Sequence, residues 1–265
     1  MDPFAFPRLG VVVPPENPTA EPEFHRLLGA AIHVHTARFP TTPGAGLKDM
    51  LETYNRVLPD TLDGFGALRL DAAVIACSAS HYLLGPRGDR ELCEALSERA
   101  GFPVRSSTQA TLAACEALGV RRLTLVSPYE PWLTGVSRRF WEAAGLTVDR
   151  VVLVPADRDA DGADHFDPYR VTPAALRERI RAELGEPGVA GGRPGASAGG
   201  SAVLFTGTGM GTLAALEEWS TAGTPPLSSN LASAWWARHA VRTAIPSPEA
   251  HPLVRRIDVR SRAAA

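Results

Sequence analysis

Apolar runs that break into turn residues recur along the chain: "LGVVVP" (9–14), "DAAVIACS" (71–78), "RRLTLVSPY" (121–129), "RVVLVPA" (150–156) and "SAVLFTGTG" (201–209). None alternates apolar and polar positions, the pattern of strands covered on both faces of a parallel sheet. Between them "GLKDMLETYNRVLPDTL", "RELCEALSERAG", "TQATLAACEALG", "PWLTGVSRRFWEAAG" and "TPAALRERIRAELG" carry a helical period, and several close on glycine. Strand and helix in alternation predict an α/β, doubly wound fold.

A repeat underlies the alternation. "LGVVVPPEN" and "LTLVSPYEP" are each a strand that breaks at proline into a polar loop. "AVIACSASHYLLG" and "AVLFTGTGMGTLA" are each a strand that breaks into small residues before a helix. The repeat predicts two pseudo-symmetric parallel-sheet halves with the active site between them, residues 7–115 plus 227–245 in one and 116–226 in the other. Four loops then meet at the carboxyl ends of their strands, where open α/β sheets bind ligands. The Gly/Ala/Pro-rich stretch 185–201 reads as a mobile surface loop, not a boundary between domains.

Composition narrows the function classes. A formal charge of -2 over 265 residues gives no electrostatic footprint for nucleic acid or an anionic membrane. No apolar run approaches the ~20 residues of a membrane span, and "MDPFAFPRLG" lacks the features of a secretory signal. Three cysteines do not make a disulfide framework, so a reducing cytoplasm is the expected compartment. Zinc-type Cys/His spacing and a phosphate-binding loop are both absent from the sequence, so no cofactor or metal is expected. Self-association into a homo-oligomer stays open.

At the four loops the chain resembles the aspartate/glutamate racemase superfamily, in its maleate isomerase and arylmalonate decarboxylase branch. "LGVVVPPENPTAEPEF" is similar to the isomerase opening, "ACSAS" to the first cysteine loop, "VSPYEPW" to the tyrosine loop, and "LSSNLASAWWA" to the closing Ser-Asn helix start. The likeness spans roughly residues 8 to 240. It implies a small carboxylic-acid substrate and chemistry beside a carboxylate without a cofactor. It also implies two thiols on opposite faces of the substrate carbon. Cys77 matches the first thiol; the second falls at Gly207, which has no side chain.

Cys77 is therefore the candidate nucleophile or proton relay, activated if backbone N–H groups of its small-residue loop lower its pKa. The plain alternative is an inert buried cysteine, the reading given to Cys93 and Cys115 on their helices. By the resemblance Asn17 binds a substrate carboxylate. Tyr129 can donate to a carboxylate or enolate oxygen. Ser78, Ala79 and Ser80 on one side, and Thr206, Gly207 and Thr208 on the other, can form an oxyanion cradle, although small residues also suit tight loop packing. His81 and His35 are weaker candidates, and Arg38 can grip a carboxylate bidentately. Asp167 stands where isomerases place a carboxylate-binding asparagine; an acid there repels a dicarboxylate.

Racemisation needs a proton donor and an acceptor on opposite faces, and Gly207 leaves one face bare or makes room for a larger substrate. One-thiol mechanisms remain. In the first, Cys77 adds to the double bond of a maleate-like cis diacid, which rotates and eliminates. In the second, a malonate-type acid loses CO₂ and Cys77 protonates the enediolate. The opening loop, the cysteine loop and "HVHTAR" favour the isomerase; the missing thiol is easier to reconcile with decarboxylation. The isomerase is the expectation, with the decarboxylase or a non-catalytic carboxylate binder as alternatives.

Overall fold

In the computed structural model the described residues are 6–158, 162–185, 200–220, 226–241 and 250–264. Most of the Gly/Ala/Pro-rich stretch expected to be a surface loop lies outside them. The first lobe runs β1 (Arg8–Val13), α1 (Ala20–Leu28), β2 (His33–Arg38), α2 (Leu47–Asp63), β3 (Ala72–Ile75), α3 (Ser78–Tyr82), α4 (Gly85–Ala100), β4 (Val104–Ser106) and α5 (Ser107–Ala117). The second runs β5 (Arg122–Ser127), α6 (Pro131–Ala143), β6 (Thr147–Leu153), the short pair β7 (Asp157–Arg158) and β8 (Asp164–His165), α7 (Pro173–Leu184), β9 (Ser201–Phe205), α8 (Leu213–Trp219) and β10 (Pro226–Ser228). Helices α9 (Ser229–Ala240) and α10 (Pro252–Ala264) close the chain.

Each lobe holds a four-stranded parallel sheet, in the orders β2-β1-β3-β4 and β6-β5-β9-β10. The second order reproduces the first, strand for strand, so the sequence repeat is a structural one. The unalternating runs behave as expected: Val11, Val12, Val13, Val74, Ile75, Leu125, Val126, Leu204 and Phe205 are all buried between helical layers.

Three strands of the two parallel sheets carry no such run. β2 lies at a sheet edge, and all six of its residues are half-buried or exposed, while β4 and β10 have three residues each, too few for a period to show. Helix ends follow local chemistry. The hydroxyls of Ser106, Thr172 and Ser228 accept the backbone N–H of Gln109, Ala175 and Leu231. α4 starts five residues before the expected "RELCEAL" run, with Pro86 in its first turn where no N–H is needed.

Strand β10 belongs to the second sheet, and α9 then returns to pack on α1, α5 and β3 of the first lobe. This return crossing knits the lobes together through Glu23. Its buried carboxylate accepts the backbone N–H of Thr212 and Leu213 at the start of α8 and the amide of Asn230 on α9. The "EPE" and Ser-Asn motifs are thus halves of one inter-lobe clamp. Burial nevertheless raises the Glu23 pKa, because those donors offset the desolvation only in part. Glu23→Ala removes the buried acceptor of the Thr212 and Leu213 N–H groups, the Thr212 hydroxyl and the Asn230 amide, and is expected to cost about 3 kcal/mol of stability, measured by urea unfolding. An unchanged unfolding midpoint would show that the clamp contributes nothing. Among the described residues no helix is long and apolar enough to cross a membrane.

Candidate active site

The two sheets present their strand ends to one another. Ile75 and Phe205 end β3 and β9, and Cys77 and Gly207 each follow two residues later. Pro14 and Pro128 likewise follow the last residues of β1 and β5. A cavity of about 280 Å³ lies where these four turns converge.

Cys77 reaches that cavity from the N-terminal end of α3 and is 4 % exposed. The backbone N–H groups of Ala79 and Ser80 favour its anion, as the loop composition suggests. Burial is the larger effect, and it pushes the thiol above its ordinary value of 9.0. The sequence expectation of a depressed pKa is therefore corrected: desolvation outweighs these hydrogen bonds, no cation among the described residues offsets it, and the thiol stays protonated. Cys93 and Cys115 are buried in helices, and burial pushes both to about 12.

Of the other expected site residues, Ser78, Ala79, Tyr129 and Thr208 line the cavity, while Asn17, Thr206 and Gly207 are not among its lining residues. Asn17 bridges the lobes: its carbonyl oxygen accepts the N–H of Thr19 and Ala20, and its amide donates to the Thr208 hydroxyl. Thr208 in turn donates to the Ala76 carbonyl at 2.7 Å, which uses the one proton its hydroxyl has. The Thr206 hydroxyl donates to Val126. Ser78 shares hydrogen bonds with Ser107 and Ser229, and Ser80 donates to the Cys77 carbonyl. Most of the small polar residues thus hold the loops in place.

Gly207 has φ +86, the left-handed region that favours glycine, and a Cβ built there would lie 2.5 Å from the Tyr129 hydroxyl. The space is already filled, so it does not make room for a larger substrate. A phenol from the neighbouring turn stands where a second thiol would begin.

The sequence missed Tyr54 and Tyr169. Tyr54 shares one helical face of α2 with Leu47, Met50 and Leu51, a spacing legible in the chain, and all four line the cavity. Tyr169 arrives with Phe166, Asp167 and Pro168 from the turn between β8 and α7, and its ring lies against Gly209, where a Cβ would be 2.4 Å from Cε1. No local pattern announces it. The hydroxyls of Tyr54, Tyr129 and Tyr169 make no hydrogen bond to any described residue. Burial, reinforced by the Cys77 sulfur, raises all three pKa values, that of Tyr54 to about 12. They remain donors at any ordinary pH.

Other candidates stand outside the cavity. Arg38 on edge strand β2 is hydrogen-bonded to the Pro14 and Pro15 carbonyls and paired with Glu21, so it braces the β1 loop and is not offered to a substrate. His35 does not line the cavity, and burial lowers its pKa. His81, on α3 itself, is wholly buried and lies 2.7 Å from Asp89, which also accepts from Thr108 and Gln109. The Sγ of Cys93 lies 3.7 Å from the same carboxylate. Donor atoms of His81, Asp89 and Cys93 gather within 4.8 Å, as a hydrogen-bonded knot that anchors the Cys77 helix to α4. Trp235 packs α9 on the core, with its indole N–H on Asp258.

Two parallel-sheet lobes thus set a buried thiol at one strand end and a glycine at the pseudo-equivalent end. The family model described as arylmalonate decarboxylase matches residues 9–252, and the chain belongs to that family. It is 30% identical over 152 residues to the maleate isomerase of Nocardia farcinica, a match covering 53% of this chain and 59% of that protein. The match thus spans less than two thirds of that relative's length.

Solved structures agree on the fold. A cysteine-to-alanine mutant of the maleate isomerase from Pseudomonas putida S16, bound to maleate, superposes with a TM-score of 0.73 at 20% identity, covering 94% of this chain and 97% of that one. A liganded arylmalonate decarboxylase carrying a glycine-to-cysteine and a cysteine-to-serine change gives 0.71 at 20% identity, over 93% and 98%. A cysteine-to-serine mutant of the Nocardia farcinica isomerase, holding a covalently bound succinylcysteine intermediate, gives 0.68 at 24% identity, over 95% and 99%.

Proposed function

We propose that this chain is a one-thiol decarboxylase of a substituted malonate, with Cys77 as the proton donor. The observation that carries the proposal is the pairing of a buried, protonated Cys77 with a Gly207 position blocked by the Tyr129 phenol. Decarboxylation needs one proton delivered to one face of a carbanion. A protonated thiol without a neighbouring cation suits that role better than attack on an alkene.

One substrate carboxylate faces the apolar wall of Leu47, Met50 and Leu51, where loss of hydration favours its departure. The C–C bond breaks, CO₂ leaves, and the electron pair passes into the remaining carboxyl group as an enediolate. The phenols of Tyr54, Tyr129 and Tyr169 donate to that group as its charge grows. The Cys77 S–H proton then moves to carbon, and water restores the thiol.

A second reading is cis-trans isomerisation of a maleate-like acid, which the sequence likeness to the Nocardia farcinica enzyme favours. There the Cys77 sulfur adds to one alkene carbon and a proton to the other, the single bond rotates, and both leave. The succinylcysteine of the related mutant shows such an adduct in that protein after one of its cysteines became serine. In this chain the addition has to overcome the raised pKa of Cys77.

Proton NMR in D₂O separates the readings. With a malonate bearing two different substituents the expected result is CO₂ loss and an α-deuterated acid, a single enantiomer by chiral chromatography. Conversion of maleate to fumarate, with the malonates untouched, would select the isomerase.

A further inference from the structure

The cavity has donors at its floor and acids at its mouth. Glu16 and Glu130 occupy pseudo-equivalent places, two residues past Pro14 and Pro128, and Asp167 enters from the β8–α7 turn. Among the described residues that line the cavity there is no lysine or arginine, and the imidazole of His165 is hydrogen-bonded to Asp157. Asp167 is the least solvated of the three acids. Its Oδ1 accepts the backbone N–H of Tyr169, while Oδ2 has no partner among the described residues. The Tyr169 ring against Gly209 seats this turn on the second lobe and so fixes the carboxylate. The floor points to a ligand independently of the acids, since Tyr54 and Tyr129 are 2 % and 8 % exposed and bring unpartnered hydroxyls to the cavity.

Phenol donors suit a carboxyl group. A substrate of charge minus two with a neutral substituent, however, must enter past three carboxylates with no lysine or arginine among the described lining residues to receive it. A cationic substituent resolves the conflict: it lowers the net charge of the substrate and supplies Asp167 with its missing partner. We propose that the substrate's substituent ends in a cationic group, such as an ammonium or guanidinium, directed at Asp167. The inference rests on the malonate reading for its reaction, but on the Asp167 carboxylate for its charge preference.

Matched probes test it. Aminoethylmalonate and propylmalonate differ in little but a terminal ammonium in place of a methyl. The wild type is expected to favour aminoethylmalonate in kcat/KM by on the order of tenfold. Asp167→Asn retains the acceptor for the Tyr169 N–H and should erase most of that preference, chiefly through KM, while improving propylmalonate. Calorimetric titration with the corresponding monoacids, aminobutyrate and pentanoate, reads the same preference without turnover. If neither malonate reacts but aminobutyrate binds better to wild type and not to Asp167→Asn, the charge inference stands and the decarboxylase reading falls. Equal or better use and binding of the uncharged probes by wild type, or a preference untouched by Asp167→Asn, overturns the inference.

Discussion

Cys77→Ser is expected to lower turnover by about 10³-fold, within the range that loss of a positioned general acid produces. The serine hydroxyl is of similar shape and can keep the loop folded, but it is a much weaker acid than the thiol. Cys93→Ser and Cys115→Ser should act only through packing, since neither thiol reaches the cavity. Steady-state rates for the three variants, with folding checked by circular dichroism, make the comparison. Near-normal turnover in a folded Cys77→Ser variant would remove the thiol from the mechanism.

The pH dependence follows with a definite sign. Burial raises the Cys77 pKa above 9.0, so the donor form persists past the ordinary thiol titration. Activity limited by Cys77 should therefore hold level through pH 9.0 and fall only at more alkaline pH. The same raised pKa favours the folded state below the unfolded thiol value, and that contribution is lost as pH rises through the folded one. A burial-raised pKa also makes the free thiol slow to alkylate.

Gly207→Cys should not, by itself, create a two-thiol site. The new Cβ would meet the Tyr129 hydroxyl at 2.5 Å and Cζ at 3.1 Å, on backbone at φ +86. Overpacking together with left-handed strain is expected to cost about 2–4 kcal/mol, read as a drop in melting temperature. Tyr129→Ala combined with Gly207→Cys removes the obstructing ring. That double variant is expected to recover part of the lost stability and to gain α-proton exchange of the acid product in D₂O, because protons can then move on both faces. If Gly207→Cys alone folds with an unchanged melting temperature and exchanges freely, Tyr129 does not fill the opposite face.

Chain pattern alone determined the parallel-sheet repeat, since burial on both faces imposes apolar runs such as 9–14 and 201–209 whatever the rest of the protein does. It also placed Cys77 and Gly207 at matching strand ends, because each strand breaks into small residues at the same step of the repeat. Only the tertiary structure decided what surrounds them. Tyr54 comes from α2 and Tyr169 from a turn in the other lobe, so their meeting around Cys77 depends on how the lobes dock. The engagement of Asn17 and Thr208 within the protein, and the withdrawal of Arg38 to Glu21, are likewise settled by partners distant in the chain. The protonation state of Cys77 depends on a balance of the same kind. The loop sequence shows the N–H groups that favour a thiolate, but the desolvation that outweighs them exists only once both lobes close over the sulfur.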